Sequence, residues 1–217
     1  AAYNIVTRVH KREFLLNDHM KRFIVQKLKE LSDPNLFFAE VGAWAILDNH
    51  LHILLRCKDH RKVDPDSAIH RWNTYHPRNY QKSRMSEYNR EYVRRQLTDV
   101  SFFMKKLKTL ITREYNRMTG SVGTLWERRF RSSIVESGKA LLMTAAYIDL
   151  NSFRASIVSK PENYKYSSLW WLKKGNKDDL VSVDMFDHYF NLSKDMGISD
   201  EERRKLSRPE EKYRRIR

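Results

Sequence analysis

The chain has 217 residues, with 42 Lys and Arg against 27 Asp and Glu, a formal net charge of +15. Its 41% hydrophobic content can bury a core, which excludes a wholly disordered chain, and its one cysteine, Cys57, excludes an internal disulfide or a Cys-rich zinc site. The cationic surplus points to a polyanion, nucleic acid above all; no apolar run approaches the ~18 residues of a membrane span, and no charged n-region leads into an apolar stretch, so a cytoplasmic location is expected.

Residues 3–9 are rich in β-branched side chains and read as a strand. Asn17 or Asp18 can cap a helix carrying Phe23, Ile24, Lys27, Leu28 and Leu31. A turn at 33–35 leads into a strand over 36–47, a tight turn at Asp48 and Asn49, and a returning strand over 50–57. Residues 58–96 change character: arginines and lysines interleave with Trp72, Tyr75, Tyr80, Tyr88 and Tyr92, and aliphatic residues are few, as in an insertion of short helices and loops. A long helix is expected from about 99 to 117, with Phe102, Phe103, Leu107, Leu110 and Ile111 on its apolar side. Residues 119–123 break it, 124–136 read as extended, and Ser137 can cap a helix reaching about Asn151.

That order predicts an α+β fold: a ferredoxin-like two-layer sandwich on an antiparallel sheet, with a helical insertion and a C-terminal helical extension. Two regions are expected: a folded domain over 1–171, carrying the basic insertion at about 58–96, and a charged extension over 172–217.

Three motifs could carry chemistry. In His50-Leu51-His52 the alternation of a strand puts both imidazoles on one face, able to converge on a divalent ion or to be ordinary half-buried histidines. In Tyr147-Ile148-Asp149-Leu150-Asn151 a helix stacks Tyr147 and Asn151 at i and i+4, so a phenol stands beside an amide oxygen; among eleven tyrosines, spacing alone does not select this one. Residues 123–133 alternate arginine with aromatic side chains. Guanidinium forks suit phosphates and rings suit unstacked bases, while the same pattern would also protect an edge strand.

Together these motifs resemble one family. The stretch Asp48-Asn49-His50-Leu51-His52-Ile53-Leu54-Leu55 resembles the His-hydrophobic-His (HUH) strand of single-tyrosine HUH transposases. The REP-associated tyrosine transposase branch is resembled by Asn116-Arg117, by Gly123-Thr124-Leu125-Trp126, by Arg129-Phe130-Arg131-Ser132, and by Tyr147 to Asn151 with Arg154-Ala155; Tyr164-Lys165-Tyr166-Ser167-Ser168 matches the motif that usually follows. The likeness spans roughly 3–171 outside the insertion, and this chain has Asn151-Ser152 where the family usually has Asn-Pro.

The resemblance implies an HUH endonuclease fold and a transposase that cleaves and rejoins single-stranded DNA at hairpin-flanked sites. The Tyr147 phenol would attack a backbone phosphate, giving a 5′-phosphotyrosine and a free 3′-OH, with Mg²⁺ or Mn²⁺ held by His50, His52 and Asn151. Free tyrosine has a pKa of ~10, so ionising it at neutral pH costs ~4 kcal/mol, which a nearby cation reduces. Tyr115, also helical among basic residues, is the competing nucleophile. Expected DNA contacts are Lys105, Lys106, Lys108, Trp126, Arg128, Arg129 and Arg131. A monomer or homodimer associated with a prokaryotic nucleoid is implied, with Tyr147 completing the site in its own chain or in a partner's. The alternative readings are a catalytically silent DNA- or RNA-hairpin-binding protein of the same fold, a replication initiator or relaxase, a metal nuclease using water with Asp48, Asp149 and Glu136, and a basic structural protein.

Overall fold

A computed structural model describes residues 1–75, 87–136 and 138–174. In chain order the elements are β1 (Ala2–Arg8), α1 (Asp18–Leu31), β2 (Ala39–Ile46), β3 (His50–Cys57), α2 (Pro65–Tyr75), α3 (Glu87–Leu97), α4 (Val100–Thr119), β4 (Arg131–Val135), α5 (Gly138–Asp149), α6 (Asn151–Arg154) and α7 (Ser168–Lys173). The strands form one antiparallel sheet in the order β2-β3-β1-β4, with β1 between β3 and β4. Strands β1 to β4 with α1 and α4 give the βαββαβ order of a ferredoxin-like sandwich, as the sequence predicts.

Local chemistry sets the boundaries. The Asn17 side chain accepts from the Met20 N–H to start α1, and that of Asp99 accepts from the Phe102 N–H to start α4. Gly120, at φ 67°, closes α4 in the left-handed conformation that glycine adopts without steric cost. The hairpin between β2 and β3 closes over two residues, with the Leu47 N–H donating to the His50 carbonyl at 2.8 Å.

The main core lies on one face of the sheet. Ile5, Trp44, Ile46, Leu51, Ile53 and Leu55 meet Ile24, Leu28 and Leu31 of α1 and Phe103, Leu107 and Ile111 of α4, all buried. Each such side chain contributes ~1.5–3 kcal/mol by leaving water. The insertion is anchored to this core rather than hanging from it: Val63, Ala68 and Val93 are buried in it, and Trp72 stacks on Phe102 with ring centroids 5.9 Å apart. The Cys57 thiol is buried here and pushed up to about 12 by that burial, which leaves it unreactive.

The second face adds a third layer to the predicted two. Ala2, Ala43, Ala45, Leu54 and Val135 form a smaller buried cluster with Leu141, Ala145 and Ile148 of α5, so α5 lies opposite α1 and α4. Alanines on the sheet keep its surface low under this helix. Residues 164–168 then clasp the outer edge of β2. The Ile46 N–H donates to the Tyr166 carbonyl at 2.9 Å, and the Tyr164 hydroxyl donates to the Ile46 carbonyl at 2.6 Å.

Two element boundaries differ from expectation. Regular strand covers only 131–135 of the extended stretch; 124–130 is irregular and joins the end of β1 through the Val9–Trp126 bridge. The helix expected to reach Asn151 ends at Asp149, and Asn151 begins the short α6. The Ser137 cap and residues 175–217 of the extension lie outside the described residues, as do 76–86 of the insertion.

Candidate active site and nucleic-acid interface

Strand β3 carries the two histidines. Its alternation sends Leu51, Ile53 and Leu55 into the main core and His50 and His52 to the α5 side, where they face Arg8 and Val6 across the ladder. The imidazole rings stand 5.0 Å apart between centroids. His52 is buried and its Nδ1 has no hydrogen-bond partner. Burial first, then the neighbouring His50 and Arg8, lowers the His52 ring to about 3. His50 is lowered as well, by burial and Arg8 against the opposing pull of Asp48. Both rings are therefore neutral near pH 7, the form that offers a lone pair to a metal.

Tyr147, on α5, meets this pair. Its ring centroid lies 6.1 Å from that of His52, and its side chain is 42% exposed. The Arg154 guanidinium sits over the same ring, 4.9 Å from its centroid. Asn151 is turned toward the end of α5: its amide nitrogen donates to the Tyr147 carbonyl at 2.8 Å and to the Ile148 carbonyl at 3.3 Å. That spends the NH₂ group on the helix terminus, the competition expected of an Asn side chain there, and leaves its oxygen as the group that could hold an ion.

The competing assignments separate in space. Tyr115 is half-buried on α4 against the main core, on the side of the sheet away from His50 and His52. The Asp149 carboxylate is wholly buried and accepts from the Ser168 hydroxyl at 2.6 Å and the Leu169 N–H at 3.0 Å. Asp48 is ion-paired with the buried Lys21. Glu136 follows β4 at the far end of the sheet, next to the Ala2–Val135 pair. Among the described residues, no group of three or more His, Cys, Asp or Glu side chains could hold a metal ion, so the water-nuclease arrangement lacks its carboxylate cluster. Any site at the histidine pair needs a ligand outside those residue types, such as the Asn151 amide.

A second feature lies on the flank of α4. A cleft of about 670 Å³ runs between that helix and residues 123–130, lined by Lys105, Lys108, Arg113 and Arg129 together with Thr109, Thr112, Asn116, Trp126 and Phe130. Of the expected DNA contacts, Lys105, Lys108, Arg129 and Trp126 are here. Trp126 lines the cleft from below: it is buried, and its Nε1–H donates to the Lys108 carbonyl at 3.1 Å, so little of its ring is open for a base to stack on. The half-buried Phe130 is the ring left for that. The Lys108 ammonium donates to the Arg128 carbonyl at 2.8 Å, while Lys106 stands off the cleft above the Phe102 ring, 5.2 Å from its centroid. Arg131 pairs with Val6 and therefore shares the histidine face. Sequence reasoning passed over Arg113, Thr109 and Thr112, although they follow Lys105 at helical spacings of 8, 4 and 7, and it quoted Asn116 as a motif residue without placing it in the interface. Asn49, Arg8 and Arg154 were also missed as groups that touch the site.

The antiparallel β2-β3-β1-β4 sheet carries α1 and α4 on one face and the histidine pair on the other, the arrangement that the sequence resemblance implies. Among solved structures, the chain is similar to that of the REP-associated tyrosine transposase bound to a REP hairpin, with 15% identity, a TM-score of 0.52, and coverage of 83% of this chain and 87% of that one. At that identity the likeness establishes the fold. No family model matches the sequence, and no curated protein matches it.

Proposed function

We propose that the protein binds hairpin-flanked single-stranded DNA, and cleaves and rejoins it through a covalent phosphotyrosine at Tyr147. The observation that carries this reading is the Tyr147 ring packed against His52 within one chain. The solved transposase of the same fold holds a REP hairpin, which supports hairpin DNA as the substrate class. The cationic cleft, with no carboxylate in its lining, suits a phosphate backbone, and Phe130 suits an unpaired base.

In the proposed reaction the Tyr147 oxygen attacks the scissile phosphorus. The bond to the 3′-oxygen breaks, that oxygen leaves with the electron pair and takes up a proton, and a 5′-phosphotyrosine remains. Reversal by a 3′-OH rejoins a strand and conserves the bond energy, so no nucleotide cofactor is needed. Arg154 places positive charge beside the phenol where negative charge develops. Two neutral imidazoles, one with a buried unpartnered nitrogen, and an amide oxygen suit Mg²⁺ or Mn²⁺. When bound, such an ion would polarise the phosphate and ease departure of the 3′-oxygen. Because Tyr147 and His52 belong to the same chain, a monomer suffices.

Incubating the protein with labelled single-stranded hairpin DNA and Mn²⁺, then resolving the products under denaturing conditions, tests the proposal. A protein-linked product that disappears in Tyr147→Phe supports it, and cleavage without any linked product overturns it. A second reading, hairpin binding without cleavage, draws on the Asn151 amide being engaged with the backbone, and predicts a bound complex with neither product.

A further inference from the structure

Asn49 is not one of the candidate metal ligands, His50, His52 and Asn151, yet its side chain is tied at both ends. Its Nδ2 donates to the Arg12 carbonyl at 2.9 Å, and its Oδ1 stands 2.6 Å from Nδ1 of His50. A carbonyl oxygen only accepts, so the Arg12 end must be met by the NH₂ group. That fixes which way the amide points and turns its oxygen, also an acceptor only, toward the imidazole. Nδ1 of His50 must then carry the proton.

The surroundings hold the amide in this sense. Lys11 and Arg12 both sit in the left-handed region, at φ 52° and 58°, a conformation costly for side chains of their kind. That bend brings the Arg12 carbonyl over the hairpin turn. The turn is itself docked: the Val9 N–H donates to the Asn49 carbonyl and the Leu16 N–H to the Asp48 carbonyl, each at 2.8 Å. These two hydrogen bonds favour one sense of the Asn49 amide, since the flipped amide would set its oxygen against the Arg12 carbonyl.

We infer that Asn49 is a positioning residue that sets the His50 tautomer, keeping Nδ1 protonated and Nε2 as the bare nitrogen free to bind a divalent ion. His52 has no counterpart, since its Nδ1 is buried without a partner. One ring of the pair is therefore pre-set and the other is not. What the bare nitrogen does rests on the metal-assisted reading above. The tautomer does not, because it follows from hydrogen bonds within the chain.

Long-range ¹⁵N–¹H correlation spectra of the metal-free full chain near neutral pH read the tautomer directly, and titration with Mn²⁺ alone reads affinity. The wild-type His50 ring should show a protonated Nδ1. Asn49→Ala should lose that preference and bind Mn²⁺ about 10–100-fold more weakly, the usual cost of removing a partner behind a metal ligand. Asn49→Asp keeps an acceptor for the ring and should keep Nδ1 protonated, even if the clasp on Arg12 loosens. A wild-type ring protonated on Nε2 overturns the inference, and so does a folded Asn49→Ala with the wild-type tautomer and Mn²⁺ affinity. A wild type with the expected tautomer but no Mn²⁺ binding upholds the tautomer assignment and sinks the metal reading instead.

Discussion

The carboxylate of Asp149 accepts the hydroxyl proton of Ser168, and the same hydroxyl oxygen accepts the Trp44 N–H at 3.0 Å. One buried serine thus ties the helix that carries Tyr147 to the edge strand of the sheet. Ser168→Ala should cost about 1–3 kcal/mol, the penalty for leaving buried polar groups without a partner. Urea denaturation measures it. Any loss of Tyr147 adducts in this variant should follow the loss of folded protein.

The nucleophile assignment separates two tyrosines on opposite sides of the sheet. Tyr147→Phe should remove covalent adducts while leaving hairpin affinity unchanged within about 1 kcal/mol, because only the phenol oxygen is lost. Tyr115→Phe should retain adducts. Adducts that survive in Tyr147→Phe and vanish in Tyr115→Phe would move the chemistry to α4.

The histidine pair should make the fold sensitive to acid. His52 is held at about 3 in the folded chain against an ordinary value of 6.5, so between those values the unfolded chain binds the extra proton. Stability contributed by the neutral ring is complete above pH ~6.5 and falls as the pH drops toward ~3, with a limiting slope of about 1.4 kcal/mol per pH unit for one proton. His50 is lowered too and acts in the same direction. Urea midpoints of the metal-free protein at descending pH should show this slope, and His52→Gln should flatten it.

The cleft on α4 makes a salt-dependence prediction. Lys105, Arg113 and Arg129 are exposed cations on its lining. Replacing any one by Ala should weaken hairpin binding and reduce the slope of log affinity against log salt by about one. Trp126→Ala should instead act mainly through folding, since the ring is buried. A Trp126 variant with wild-type stability and lost affinity would restore that ring as a direct contact.

Much of the architecture was legible because local signals agreed with tertiary packing. Asn17, Asp99 and Gly120 mark helix ends by the hydrogen bonds and backbone angles that they alone supply cheaply. Alternation put His50 and His52 on one face without further information. The side of the sheet taken by α5 was not legible. Leu141, Ala145 and Ile148 mark the buried stripe of that helix from spacing alone, and they are buried, but a stripe does not say which face of the sheet it covers. Residues 124–130 misled for another reason: alternating arginines and rings imitate a strand, while the backbone makes a single bridge at Trp126. The choice of Tyr147 came from its motif, and its nearness to His52 is a tertiary fact that no spacing encodes.

The histidine pair and the cationic cleft sit on different sides of one sheet, with the 124–131 segment forming the rim between them. A polymer held at both places has to turn a corner of molecular dimensions. Duplex DNA, with a persistence length of ~50 nm, resists such a bend, whereas an unpaired strand makes it readily. The geometry of the rim would thus act as a stiffness filter, admitting melted or looped substrates ahead of any reading of their bases.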